Sequence, residues 1–166
     1  MFHGATRMAF LDWKNEFNTG IEAIDTDHKF LVSLINQLDE ALRDGQNQEV
    51  VGSVLNALYD YTNYHFLREE KMMKACGYTD EKEHAAQHQD LKTQVMEARD
   101  AYLKQQTDDI KQPVMDFMKT WLADHILGHD MQYVSSMLAN RDAAENAARI
   151  FDNNKDWMLT ENGDVQ

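Results

Sequence analysis

His65-Phe66-Leu67-Arg68-Glu69 is the stretch from which the fold is read. His65 and Glu69 stand four apart, so on an α-helix they stack one turn above the other and point at the same neighbour. The positions around them keep helical rhythm. Val51, Leu55, Leu58, Thr62, His65, Glu69, Met72 and Cys76 alternate steps of four and three. That stripe predicts one amphipathic helix from Gln48 to Cys76, closed by Gly77 as a left-handed cap. Two groups able to bind a cation thus occupy places in what is otherwise an apolar face.

The same rhythm extends in both directions. Upstream, Ile24, His28, Leu31, Ile35, Leu38 and Leu42 form a stripe with His28 in step. Thr19-Gly20-Ile21-Glu22 before it has the pattern of a capping box, and Gly45 after it can close the helix. Downstream, Thr79 is a good N-cap, with Asp80 and Glu81 complementing the helix dipole. Its stripe is His84, His88, Leu91, Val95, Ala98 and Tyr102. After the polar break Gln105 to Asp109, a fourth helix is expected from Ile110 to Asn140, with Pro113 in its first turn. Val114, Met118, Trp121 and His125 mark its buried face.

A short further helix is expected over Ala143 to Phe151, then a polar tail in which Trp157, Met158 and Leu159 are the groups able to dock. No stretch shows period-two alternation. The expected fold is all-α, an up-down-up-down four-helix bundle over residues 21–140. Residues 1–20 form an N-terminal arm whose Phe10, Trp13 and Phe17 dock on the bundle, and residues 141–166 form a C-terminal extension.

Composition narrows the function. The 166 residues suit one domain with a real core. A net charge of −13 and a pI near 4.8 argue against nucleic acid and against anionic membrane surfaces. No apolar run approaches the ~20 residues that span a bilayer, and residues 1–14 lack an apolar segment with a small-residue cleavage site, so no secretory signal is expected. One cysteine, Cys76, cannot form an intrachain disulfide, so a reducing cytoplasm is the expected location. Ten methionines without a tight cluster read as core filler rather than a copper site.

A single histidine on an apolar helical face is ordinarily a satisfied core residue, and i, i+4 polar pairs are common on solvated faces. Here His28, His65, Glu69, His84, His88 and His125 replace apolar side chains in four separate stripes. Burying such groups without partners would cost about 1–3 kcal/mol each. Metal ligation satisfies them together, and they exceed the about four ligands of a tetrahedral zinc. A site for two metals follows. At the last helix, a pitch of about 3.6 residues brings His129 nearer in angle to His125 than Asp130. Spacing alone therefore does not choose Asp130.

The order of a lone His28, then His65-xxx-Glu69, His84-xxx-His88 and His125-xxxx-Asp130 resembles the hemerythrin family. Flanking residues agree: Trp13 in the arm, Gly20-Ile21 and Ile24-Asp25, Phe66, Glu70, Gly77-Tyr78, Trp121-Leu122 and Ile126-Leu127-Gly128. The likeness runs from Phe10 to Leu138. It implies two non-haem irons with an oxo or hydroxo bridge. His84, His88 and His125 would hold one iron and His28 and His65 the other, with Glu69 and Asp130 bridging and His129 outside the set.

On octahedral preferences two irons offer about twelve positions. Five histidines, two bridging carboxylates and the bridge leave one vacant, on the iron with two histidines. The resemblance implies that dioxygen binds there reversibly, for storage, transport or delivery, in a protein that is not an enzyme. Phe66 and Trp121 would wall an apolar oxygen pocket. Ala123 stands where relatives often carry a bulky aliphatic, which would loosen that wall. The competing readings are an oxygen or redox sensor working through the C-terminal tail, and a di-iron enzyme handling peroxide or nitric oxide. The single Glu81-xx-His84 motif, with no second, speaks against an oxygenase. Because the tail lies beyond every candidate ligand, truncation at Phe151 should leave the spectrum of the oxygenated protein unchanged.

Overall fold

The computed structural model describes residues 8–105 and 108–154, so Trp157, Met158 and Leu159 lie outside the described residues. Helices α1 (Glu22–Arg43), α2 (Gln48–Cys76), α3 (Glu81–Gln105) and α4 (Asp108–His125) follow one another. A π-helical turn (Ile126–Asp130) joins α4 to α5 (Met131–Ala139), and α6 (Arg141–Asn154) comes last. α1 packs on α2, α2 on α3, α3 on α4, and α4 back on α1. That ring of neighbours is what short links between consecutive helices produce. α6 lies against α2, outside the ring. No strand occurs among the described residues.

The predicted stripes point inward, and every position of the α2 stripe is buried. The apolar interior divides in two. One cluster holds Leu31, Ile35, Leu38, Val51, Leu55, Leu58, Phe66, Val95 and Met118. The other holds Ile21, Ile24, Met72, Met73, Tyr133 and Met137, together with Ala144 and Ala148 of α6. On α1, His28 falls between residues of the two clusters, and on α2 Glu69 does the same. The polar layer is thus sealed at both ends by hydrophobic contact. The arm docks through Phe17, which is buried, and through Leu11, whose backbone N–H and carbonyl both bond the Asn36 side chain at 2.9 Å.

Helix ends differ from expectation in detail. Thr19 does not pair with Glu22. Its backbone N–H and hydroxyl donate to Asp25 at 2.8 and 2.7 Å, and the Gly20 N–H donates to the same carboxylate at 3.1 Å. A carboxylate one turn inside the helix does the capping, because it reaches back over a tight turn in which Gly20 adopts φ 79°. α3 starts one residue later than a Thr79 cap would give, with the His84 N–H bonding the Asp80 carbonyl at 3.0 Å. α4 begins at Asp108 rather than Ile110, which puts Pro113 in its second turn, where its missing N–H costs a helical bond. The last helix is longer than expected at both ends. It includes Asp152, which pairs with Arg68 of α2 instead of belonging to a free tail.

Gly77 ends α2 at φ 68°, with its N–H bonding the Lys74 carbonyl at 3.2 Å and the Tyr78 N–H the Met73 carbonyl at 3.1 Å. A Cβ there would meet nothing within 4 Å, so only conformation opposes a side chain. Gly77→Ala is expected to cost about 1–2 kcal/mol. Thermal unfolding should show a midpoint lower by about 2–4 °C per kcal/mol for a chain of this size.

Candidate metal centre

Four elements and the π turn converge on the polar layer. Glu69, His84, His88, His125 and Asp130 each offer one ligand atom, all within 4.8 Å of one another. His28, His65, Glu69 and Asp130 form a second group under the same limit. All seven residues are buried. Glu69 and Asp130 belong to both groups, so the two carboxylates lie between a set of three imidazoles and a set of two.

The atoms approach without bonding. His125 Nε2 lies 3.0 Å from Asp130 Oδ1, His84 Nε2 3.3 Å from the same oxygen, and His28 Nε2 3.1 Å from Asp130 Oδ2. His88 Nε2 and His65 Nε2 lie 3.2 and 3.5 Å from Glu69 Oε2. Yet all five Nε2 atoms, Glu69 Oε2 and both Asp130 oxygens lack an aligned hydrogen-bond partner among the described residues. Left so, each would cost about 1–3 kcal/mol. Nitrogen and oxygen lone pairs facing shared points fit hard to borderline cations, and each shared carboxylate has an oxygen for either side.

The charge states suit this. Burial works to raise both carboxylates, and at Glu69 the Asp130 charge adds to it. The surrounding imidazoles outweigh both, holding Glu69 at about 2 and Asp130 well below its usual value. Burial pushes the His125 imidazole down, towards the neutral form that can ligate. Burial also opposes charge on His88, but the close Glu69 carboxylate and the hydrogen-bonded Glu70 push it up to about 9 in the absence of a cation.

The π turn decides the last position. With i→i+5 bonding, the residue five along comes onto the face of the first. Asp130 therefore joins His125 inside the bundle, while His129 turns aside and is only half-buried. The His129 ring lies 5.7 Å from that of His125, and the residue belongs to neither group. Regular helical pitch would have reversed this placement.

Sequence reasoning missed the groups that hold the site from outside. Tyr133, fully buried, donates its hydroxyl proton to Glu69 Oε1. Burial first, then the Asp130 and Glu69 charges, raise its pKa well above the ordinary value, so it stays a donor. Asp27 Oδ2 lies 3.1 Å from His65 Nδ1, and Glu70 Oε1 2.9 Å from His88 Nδ1. These contacts select which ring nitrogen faces inward. Weak signals existed: Tyr133 stands three residues after Asp130, and Asp27 and Glu70 are acidic neighbours of His28 and Glu69.

Phe66 is wedged among the imidazoles. It stacks on His88 at 3.9 Å with planes 4° apart, and meets His125 edge-on at 5.2 Å. Trp121 packs 6.3 Å from Phe66 and borders a cavity of about 490 Å³ reaching His125 and His129. Leu31, Leu122 and Ile126 complete the apolar wall in the same buried cluster, one turn or less from His28 and His125. Ala123 is half-buried against the same cluster, next to the fully buried Leu122.

These features define a helical bundle with a buried, histidine-rich site for cations. The profile of the hemerythrin HHE cation binding domain matches residues 19–135, and the chain belongs to that family. It is 34% identical over 130 residues to a bacteriohemerythrin of Pseudomonas aeruginosa, covering 78% of this chain and 83% of the relative. A bacteriohemerythrin of Methylococcus capsulatus is 31% identical over 127 residues, 76% of this chain and 95% of the relative. The crystal structure of a wild-type hemerythrin superposes with a TM-score of 0.69 at 29% identity, covering 77% of this chain and 98% of that one. The family match ends before α6.

If Asp130 is shared, Asp130→Ala should strip metal from both groups, whereas His129→Ala should retain it. Metal content per chain, measured side by side in the two variants, checks this; the reverse pattern would assign the ligand to His129.

Proposed function

We propose that this protein binds dioxygen reversibly at a di-iron centre, for storage, transport or delivery, and is not an enzyme. The observation that carries the reading is the pair of ligand groups sharing Glu69 and Asp130, three imidazoles on one side and two on the other. On this assignment His84, His88 and His125 hold one iron, His28 and His65 the other, and the two carboxylates bridge. An oxo or hydroxo bridge would complete the set, and the two-histidine side would then have a donor fewer and room for dioxygen. A pair of irons, when bound, supplies the electrons with which dioxygen is held and which it returns on release.

The chain's own residues favour holding over reaction. Phe66, Trp121, Leu122 and Ile126 are buried and apolar, and Phe66 packs against His65, His88 and His125, so they keep bulk water from the imidazoles. Tyr133 keeps one oxygen of Glu69 engaged, and its high pKa makes it a poor proton source. Asp27 and Glu70 fix the rings of His65 and His88. Five neutral imidazoles leave the site less negative than a carboxylate-rich one, which favours the reduced metal. No helix among the described residues is long and apolar enough to cross a membrane. With one cysteine and an acidic surface, a reducing cytoplasm is the compartment we assign.

Oxygen titration of the anaerobically reduced protein is the direct test. A stable adduct that reverses on deoxygenation is expected, with about two irons per chain by elemental analysis. Rapid turnover with peroxide would point to an enzyme instead, and one zinc without charge-transfer absorption would sink the iron assignment.

Loading should also depend on pH. In the metal-free protein His88 holds its proton up to about 9, and a metal needs the neutral nitrogen. Below that value binding must expel a proton, so iron affinity should fall as pH is lowered and uptake should release protons. Competition with a chelator at several pH values, with proton release followed by an indicator dye, measures both.

A further inference from the structure

Arg68 sits on α2 one residue before Glu69, yet its guanidinium points away from the metal centre into a buried niche between α1 and α6. Its Nε donates to Asp27 Oδ2 at 3.1 Å, and one terminal nitrogen donates to Asp27 Oδ1 at 2.7 Å and to the Ala23 carbonyl at 2.8 Å. The other terminal nitrogen donates to both oxygens of Asp152 on α6, at 3.0 and 3.1 Å, and to the Tyr64 hydroxyl at 3.0 Å. Tyr64 in turn donates to Asp152 Oδ1 at 2.5 Å. One cation therefore serves two carboxylates.

Asp27 is saturated on its own side. Oδ2 meets Arg68 and His65 Nδ1, while Oδ1 accepts from Arg68 and from the Tyr61 hydroxyl at 2.7 Å. A carboxylate has about four acceptor directions, and all four are used. An unbroken path of hydrogen bonds thus runs from α6 through Arg68 and Asp27 to a histidine of the metal centre. The placement of Asp152 follows from the α6 stripe. Ala144, Ala148 and Phe151 are buried at steps of four and three, the two alanines are small enough to admit α2 closely, and Phe151 packs 5.4 Å from Tyr64.

We propose that Asp152 is a positioning residue for the metal centre, acting through Arg68 and Asp27 on the orientation and donor strength of His65. The proposal rests on the metal-centre reading above and extends it to a helix outside the family match. The physical cause is the sharing of charge. With Asp152 present, the Asp27–Arg68–Asp152 cluster carries a net charge of −1 and Asp27 keeps much of its negative charge for the His65 N–H. Without it, Arg68 is committed to Asp27 alone, the cluster is neutral, and Asp27 becomes a weaker acceptor. The imidazole then donates less to its metal, and the oxidised metal loses more stabilisation than the reduced one. A simple clamp of α6 onto α2 would affect stability and nothing at His65.

The test compares wild type, Asp152→Asn and Asp152→Glu in two states of the full chain. In the metal-free protein, the His65 Nδ1–H proton resonance reports the hydrogen bond to Asp27. In the iron-loaded protein, the midpoint potential and ferrous iron affinity report the metal. Asp152→Asn should move the His65 resonance upfield, raise the potential and lower iron affinity several-fold. Asp27→Asn, which removes the direct partner, should lower it by about 10–100-fold. Asp152→Glu should restore both readings towards wild type. An Asp152→Asn protein with a lower melting temperature but unchanged resonance and potential would overturn the proposal and leave only a clamp. Should the chain load no iron, the proposed function fails, while the metal-free resonance still decides whether Asp152 reaches His65.

Discussion

Two carboxylates, Glu69 and Asp130, lie fully buried and face the same five imidazoles. A bundle interior cannot hold two such charges without opposite charge close by, because desolvation costs several kcal/mol per ion. The rest of the molecule is arranged around that requirement. Each of the four helices contributes to the two groups of buried donor atoms, and an apolar cluster closes the layer at either end. Removing one of the two carboxylates disturbs both ligand groups at once, whereas removing one imidazole disturbs one.

The second constraint is pitch. A regular helix through His125 would bring His129 inward, exchanging a carboxylate able to serve two cations for an imidazole able to serve one. The π turn over Ile126–Asp130 inserts the extra residue that puts Asp130 there. Such turns forgo regular bonding and are found mostly at functional sites. Here the strongest local rule of the sequence, periodicity, yields to the demands of the ligand layer.

Around the buried donor groups lies a shell of hydrogen bonds drawn from α1, α2, α5 and α6. Tyr133 comes from α5, Asp27 from α1, Glu70 and Arg68 from α2, and Asp152 from α6. α6 thus contributes to the surroundings of the site although it holds no ligand. The expectation that everything beyond Phe151 is dispensable no longer follows, since the truncation removes the carboxylate that shares Arg68.

Much of this protein was legible from its residues, for a physical reason. Steps of four and three record which face of a helix is buried, and that is a local property of α1, α2, α3 and α4. Histidines and Glu69 standing in those stripes announced a buried polar layer before any contact was known. Glycines at 45 and 77 marked helix ends, because left-handed backbone is a local property too. Asp130 was available only through family resemblance, since the π turn that selects it arises from packing and leaves no mark in periodicity. Thr19 capping through Asp25, Tyr133 on Glu69, and Arg68 between Asp27 and Asp152 join residues 6, 64, 41 and 84 positions apart. Except for the first, such separations are outside the reach of one helix turn or one cap. Only the packing of α1, α5 and α6 onto α2 decides them, because a hydrogen bond forms where folding brings donor and acceptor together.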